Sequence, residues 1–203
     1  HEVLVAFNQL RELEAEKYYG GDRSLAIRQG LRHRIEHVQV LHPEDAGKRA
    51  QLGGVASMQP IHATSDMLMA DRYWGGRVDL AYAWRAQLDQ GAVLAFGSDA
   101  PVESPNPFLG LHAAVTRRRT DGSPGLQGWV PDQRINVLQA LEAYTLGPAR
   151  TAGIEAYSGK LAAGYLADLT VLSENPLSCL PEQLYTIQPV GTMVGGEWVY
   201  RDF

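Results

Sequence analysis

The chain has 203 residues, 45% of them hydrophobic and 20% charged, which is enough to bury a sizeable core; its formal net charge of −5 offers no basic footprint for nucleic acid or an anionic membrane surface. No stretch approaches the roughly 20 apolar residues that span a bilayer, and the first residues lack the layout of a secretory leader. The single cysteine, Cys179, excludes an intrachain disulfide and fits a reducing compartment, so a cytoplasmic location is expected.

Residues 2 to 17 place Val3, Leu4, Phe7, Leu10 and Leu13 at helical spacing, opposite Glu12, Glu14, Glu16 and Lys17, and predict an amphipathic helix ended by Gly20-Gly21. "LRHRIEHVQVL" alternates and carries β-branched residues, so a strand is expected near 33 to 38. Pro43 opens a helix to about Leu52, with His42 as its cap and Gly53-Gly54 as its stop. "VASMQP" reads as a short strand followed by a long polar loop holding His62, Asp66 and Trp74. A helix is expected over 78 to 91, and "AVLAFGSD" forms the next strand. Asn106 caps a helix with Pro107 in its first turn, running to about Arg119; the basic run Arg117, Arg118, Arg119 reads as its solvated end. Asp132 is placed to cap a further helix over 135 to 144, closed by Gly147-Pro148.

Helices alternating with short apolar strands argue for an α/β fold with a parallel sheet, extending over residues 1–150. Beyond about 150 the rhythm changes to short β-like runs separated by Gly and Pro. Gly195-Gly196 between Val194 and Trp198 predicts a hairpin, so residues 151–203 form a small β element.

In parallel α/β folds, ligands gather at the carboxyl ends of the strands. The three expected strands deliver Glu36 and His37, Gln59 and His62, and Ser98 and Asp99 to that edge. Imidazoles and carboxylates together suit a metal such as zinc, and a carboxylate beside the ion can take a proton from water. Each residue also has an ordinary reading. A strand histidine is commonly a hydrogen-bonded core residue, and an aspartate near a proline is commonly a turn former. His33 is either core-facing or a support for the site, and His112, in mid-helix, reads as structural. Met67, Arg72 and Trp74 either line a pocket or cover the end of the sheet. No Gly-x-Ser-x-Gly elbow occurs, and Cys179 lies in the irregular tail, so nothing supports nucleophilic catalysis.

"HRIEHVQ", "ASMQPIHATSD", "FGSDAPVESPNPF", "YTLGPAR" and "SGKLAAGYLADLTVL", in this order, resemble the amidohydrolase superfamily of metal-dependent hydrolases, in the branch that includes N-substituted formamide deformylase. The resemblance implies the C-terminal part of a (β/α)8 TIM-like barrel, strands six to eight, plus part of a small β-domain. It implies a divalent metal, zinc by preference, and hydrolysis of a linear amide-type C–N bond in a small molecule. His37 matches the histidine after the sixth strand, which binds metal or the polarised carbonyl. Asp99 matches the aspartate after the eighth, a metal ligand that accepts the proton of the hydrolytic water. His62 matches a substrate position, with Glu36 and Gln59 as supporting substrate-side groups, and Gly159, Gly164 and Asp168 are structural. The family's His-x-His pair has no counterpart here, so the chain is expected to start after the fifth strand. Two remaining ligands imply negligible metal affinity, an inactive isolated chain, and either self-association or a missing N-terminal half. The alternatives are a noncatalytic binding module on the same fold and a cyclic amidase.

Overall fold

The computed structural model describes all of residues 1–203 as an α/β arrangement with two separate three-stranded sheets. In chain order come α1 (Glu2–Tyr18), α2 (Arg23–Gln29), β1 (Arg34–Glu36), α3 (Lys48–Gln51), β2 (Val55–Met58), α4 (Pro60–Tyr73), α5 (Trp84–Asp89), β3 (Val93–Phe96), α6 (Pro107–Thr116), α7 (Val137–Tyr144) and α8 (Leu146–Ala152). The second sheet comprises β4 (Leu169–Leu172), β5 (Pro189–Val194) and β6 (Glu197–Arg201). The strands β1, β2 and β3 are parallel neighbours in that order, with Arg34 opposite Val55 and Val55 opposite Val93. Their carboxyl ends therefore finish side by side. Val55, Ala56, Met58, Leu94, Ala95 and Phe96 are buried, as strands covered on both faces require.

Several elements differ from the sequence reading for identifiable reasons. The expected loop after β2 is the fourteen-residue helix α4. Pro60 occupies its first turn, where no amide donor is needed, and Ala63, Met67 and Ala70 bury one face at i, i+4 and i+7 spacing. Met67 is thus core, not pocket lining, and Arg72 is exposed. The expected helix over 78 to 91 is broken. Ala81 bridges Val40 in antiparallel fashion and Tyr82, at φ 49°, donates its N–H to Gln39 O at 2.8 Å, so the helix is interrupted there and α5 starts only at Trp84. Asn136 rather than Asp132 caps α7, in a reciprocal capping box with Gln139. Gly147 and Pro148 lie inside α8 instead of ending a helix. In α1 the buried face carries Arg11 and Glu14, while Leu10 and Leu13 are exposed. Arg11 donates to Glu14 at 2.6 Å and to Leu52 O at 2.9 Å, and His33 meets Glu14 at 3.1 Å, which places His33 as a support of the α1 packing. The helix α2, capped by Asp22, was not anticipated.

The arginine run is not a solvated helix end. Arg117 is fully buried, its guanidinium lying 4.4 Å from the Trp84 ring centroid and 4.9 Å from that of Trp129. It donates to the carbonyls of Trp129 (2.8 Å), Tyr82 (3.0 Å) and Ala81 (3.2 Å). Burial lowers its pKa to about 9, so it stays charged at neutral pH. Arg119 donates to the carbonyls of Thr64 (2.8 Å) and Ser65 (3.1 Å) in the first half of α4.

The small sheet is antiparallel. Gly195 and Gly196, at φ 59° and 86°, make the two-residue turn between β5 and β6. The Asp168 carboxylate accepts from Gly195 N–H at 2.7 Å, and Gly159, at φ 91°, fits where a Cβ would meet Ala149 Cβ at 2.7 Å.

A methyl on Gly147 would come within 1.9 Å of Leu94 O and 3.1 Å of Ala95 Cα, so α8 rests directly on the backbone of β3. Gly147→Ala should cost about 3 kcal/mol in urea unfolding, whereas an ordinary helical glycine would gain up to about 1 kcal/mol from the same change. A stabilised variant would contradict the close approach. Arg117→Met should cost about 3–5 kcal/mol by the same measurement, because it leaves three buried carbonyls without donors. A loss below about 1 kcal/mol would show that those carbonyls find other partners.

Candidate metal centre

Three side chains carried just beyond the carboxyl ends of the parallel strands come close together. His37 follows β1 immediately, at φ 65°, and Val38 follows it at φ 45°. Asp99 lies three residues beyond β3 at φ 59°. None of these is a glycine, and left-handed backbone costs such residues of order 1–3 kcal/mol each. His62 comes from the first turn of α4 and is buried. One ligand atom from each of His37, His62 and Asp99 lies within 4.8 Å of the others.

The neighbours orient these groups. Gln59, buried at the end of β2, accepts from His37 Nδ1–H at 2.9 Å, which leaves Nε2 as the free nitrogen. His62 Nε2 lies 3.4 Å from Asp99 Oδ2, and its Nδ1 lies 3.4 Å from Glu103 Oε1. The two imidazoles tilt at 38° with centroids 5.9 Å apart.

Glu36 is not part of this group. Its carboxylate pairs with Arg34 two residues earlier, on the exposed face of β1. His62, expected at the same edge as a substrate-side group in a loop, instead lies on a helix and offers a ligand atom beside those of His37 and Asp99. Glu103 was missed. It sits in the proline-rich stretch after Asp99, and the turn in which Val102 N–H donates to Asp99 O at 2.8 Å brings it back over His62.

Behind the centre, Gln39 Nε2 donates to Tyr82 Oη at 3.2 Å, and Tyr82 O–H donates to Asp66 of α4. Burial and the Asp66 carboxylate hold that phenol far above its usual range, so it is a fixed donor and not an acid. Cys179 is half-buried, and burial together with Glu174 raises its pKa, which keeps the thiolate form scarce.

Residues 9–200 match the model of the amidohydrolase family. The chain belongs to the amidohydrolase family. It is 32% identical to the protein YtcJ of Bacillus subtilis over 198 residues, which cover 97% of this chain and 37% of that relative. N-substituted formamide deformylase of Arthrobacter pascens is 32% identical over 117 residues, 58% of this chain and 21% of that enzyme. Among solved structures, an uncharacterized metal-dependent hydrolase of Pyrococcus horikoshii superimposes with a TM-score of 0.66 at 30% identity, covering 79% of this chain and 33% of that one. The chain therefore spans little more than a third of the length of these amidohydrolase relatives. No helix is long and apolar enough to cross a membrane.

His112 stands apart from the centre. It is buried in α6 against Tyr185, and burial, aided by Arg118, lowers its pKa from 6.5 to about 4. The unfolded chain then binds more protons than the native one between these values, so this group's contribution to stability falls as pH drops from 7 toward 4. His112→Gln should flatten the acid-side loss of stability between pH 7 and pH 5 by about 2 kcal/mol in chemical denaturation. An unchanged slope would show that the native imidazole is solvated.

Proposed function

We propose that this chain carries the carboxyl-terminal share of a metal-dependent amidohydrolase centre, with His37, His62 and Asp99 as its ligating groups. The observation that carries the reading is their convergence within 4.8 Å at the adjoining carboxyl ends of three parallel strands. Two imidazole nitrogens and one carboxylate oxygen are a donor set that suits zinc, with room for ligands from elsewhere. In this reading residues 1–150 contribute barrel strands six to eight, and residues 151–203 contribute to a small β-domain. The free edge of β1 and the exposed Val3, Leu10 and Leu13 of α1 are surfaces that further barrel elements would cover. The single thiol fits a cytoplasmic setting.

The reaction class is hydrolysis of a linear amide-type C–N bond in a small molecule. A divalent ion, when bound, supplies the Lewis acidity that makes water nucleophilic at neutral pH and polarises a carbonyl. The chain's own residues supply the rest. Asp99 Oδ2 accepts the proton of the attacking water and returns it to the departing nitrogen. His37, locked by Gln59 with its Nε2 lone pair free, and His62 would hold the ion beside the substrate carbonyl, and that ion would take the charge that develops on the oxygen. The strained backbone at His37 and Asp99 sets these atoms in place before substrate arrives.

Cobalt titration of the protein, followed by visible absorption, tests the centre. With His62 as a third donor, binding is expected where two ligands alone imply none, and Asp99→Asn or His37→Ala should weaken it beyond the about 10–100-fold that loss of an outer supporting group costs. In a protein that completes the barrel, amide hydrolysis should fall together with binding in Asp99→Asn. Absence of cobalt binding, or equal affinity in these variants, would overturn the assignment.

A further inference from the structure

We propose that Glu103 is the positioning residue for His62, holding a proton on Nδ1 so that the Nε2 lone pair faces Asp99 and the centre of the cluster. The inference deepens the metal-centre reading and rests on it for its functional meaning. The geometry itself is independent of a bound ion.

His62 is enclosed between two carboxylates, with Glu103 Oε1 3.4 Å from Nδ1 and Asp99 Oδ2 3.4 Å from Nε2. A neutral imidazole has one N–H, so only one carboxylate can receive it. Burial decides between them. The Glu103 side chain is 19% exposed and that of Asp99 is 38% exposed, so water screens Asp99 more and leaves Glu103 the stronger acceptor. Glu103 makes no ion pair with a lysine or arginine, and His62 is the partner of its charge. An enclosed carboxylate with only an imidazole beside it is suited to orienting that ring and fixing which nitrogen carries the proton.

The local chain explains how Glu103 reaches this position. Val102 N–H closes a turn onto Asp99 O at 2.8 Å. Farther along, Ser104 Oγ accepts from Asn106 N–H at 3.3 Å, and Asn106 Oδ1 caps α6 by accepting from Phe108 N–H at 3.0 Å. The stretch between β3 and α6 is thereby pinned at both ends, with Glu103 facing back across the start of α4. The two histidines are held differently: His37 by the neutral amide of Gln59 and His62 by a carboxylate. His62 is thus the more electron-rich of the two.

The test reads ring protons directly. Long-range 15N–1H correlation spectra of the metal-free protein are recorded under alkaline conditions that keep imidazoles neutral. The parent should show His62 protonated on Nδ1. Glu103→Gln, which retains an oxygen acceptor, should keep that form, and Glu103→Leu should move the proton to Nε2, donated to Asp99. A proton on Nε2 in the parent overturns the proposal without any variant, and so does an unchanged tautomer in Glu103→Leu. In a parallel cobalt titration, Glu103→Leu should bind about 10–100-fold more weakly than the parent, while Glu103→Gln stays close to it. Failure of the metal-centre reading has a separate signature: neither parent nor variants bind cobalt, while the tautomer still switches in Glu103→Leu.

Discussion

One buried guanidinium organises much of the molecule. Arg117 lies between the Trp84 and Trp129 rings and donates to three main-chain carbonyls, with no carboxylate beside it. Two of those carbonyls, from Ala81 and Tyr82, belong to the segment that hydrogen-bonds residues 39–41, the continuation of the chain after His37. Tyr82 also joins Gln39 to Asp66 on α4, the helix whose first turn supplies His62. A charge taken out of water is costly unless its donors are satisfied, so the loops that offer these carbonyls are held to one geometry. The anchor thus lies at the carboxyl end of α6, while the groups it helps to place come from β1 and α4.

Backbone strain marks the same two regions. Six residues other than glycine adopt positive φ. His37, Val38 and Asp99 are at the strand ends that form the centre, and Tyr82, Arg117 and Val130 are at the clamp. A β-branched residue such as Val38 resists this conformation most, so its presence shows how firmly the surroundings dictate the turn. Strain at the strand ends turns His37 and Asp99 out of the pleat toward each other, and the clamp contributes the packing and hydrogen bonds that sustain it.

Much of the fold could be read from local patterns. The apolar runs of β2 and β3, the Asn106 cap of α6, the His42 cap and the Gly195-Gly196 hairpin all declare themselves within a few residues. The failures share a cause, which is that long-range contacts decide them. Thr64, Ser65 and Asp66 dilute the apolar face of α4 and make it resemble a loop, although Ala63, Met67 and Ala70 bury it. The Arg117 run looks like an exposed helix end until Trp84 and Trp129 are brought to it from 33 and 12 residues away. Glu14 reads as part of a polar face, yet it is buried by Arg11 and His33. At the candidate centre, the strand ends already suggest that His37, His62 and Asp99 share one edge. The helix that holds His62 and the return of Glu103 depend on α4 packing and on the turn after Asp99, neither of which the residue pattern specifies.

The account depends on three side chains from different elements meeting one ion. Anomalous diffraction at the zinc edge from crystals of the zinc-loaded protein tests this directly. A single site should appear with His37 and His62 nitrogens and an Asp99 oxygen at about 2.0–2.2 Å. Zinc held by other residues, or by His37 and Asp99 with His62 turned away, would contradict it.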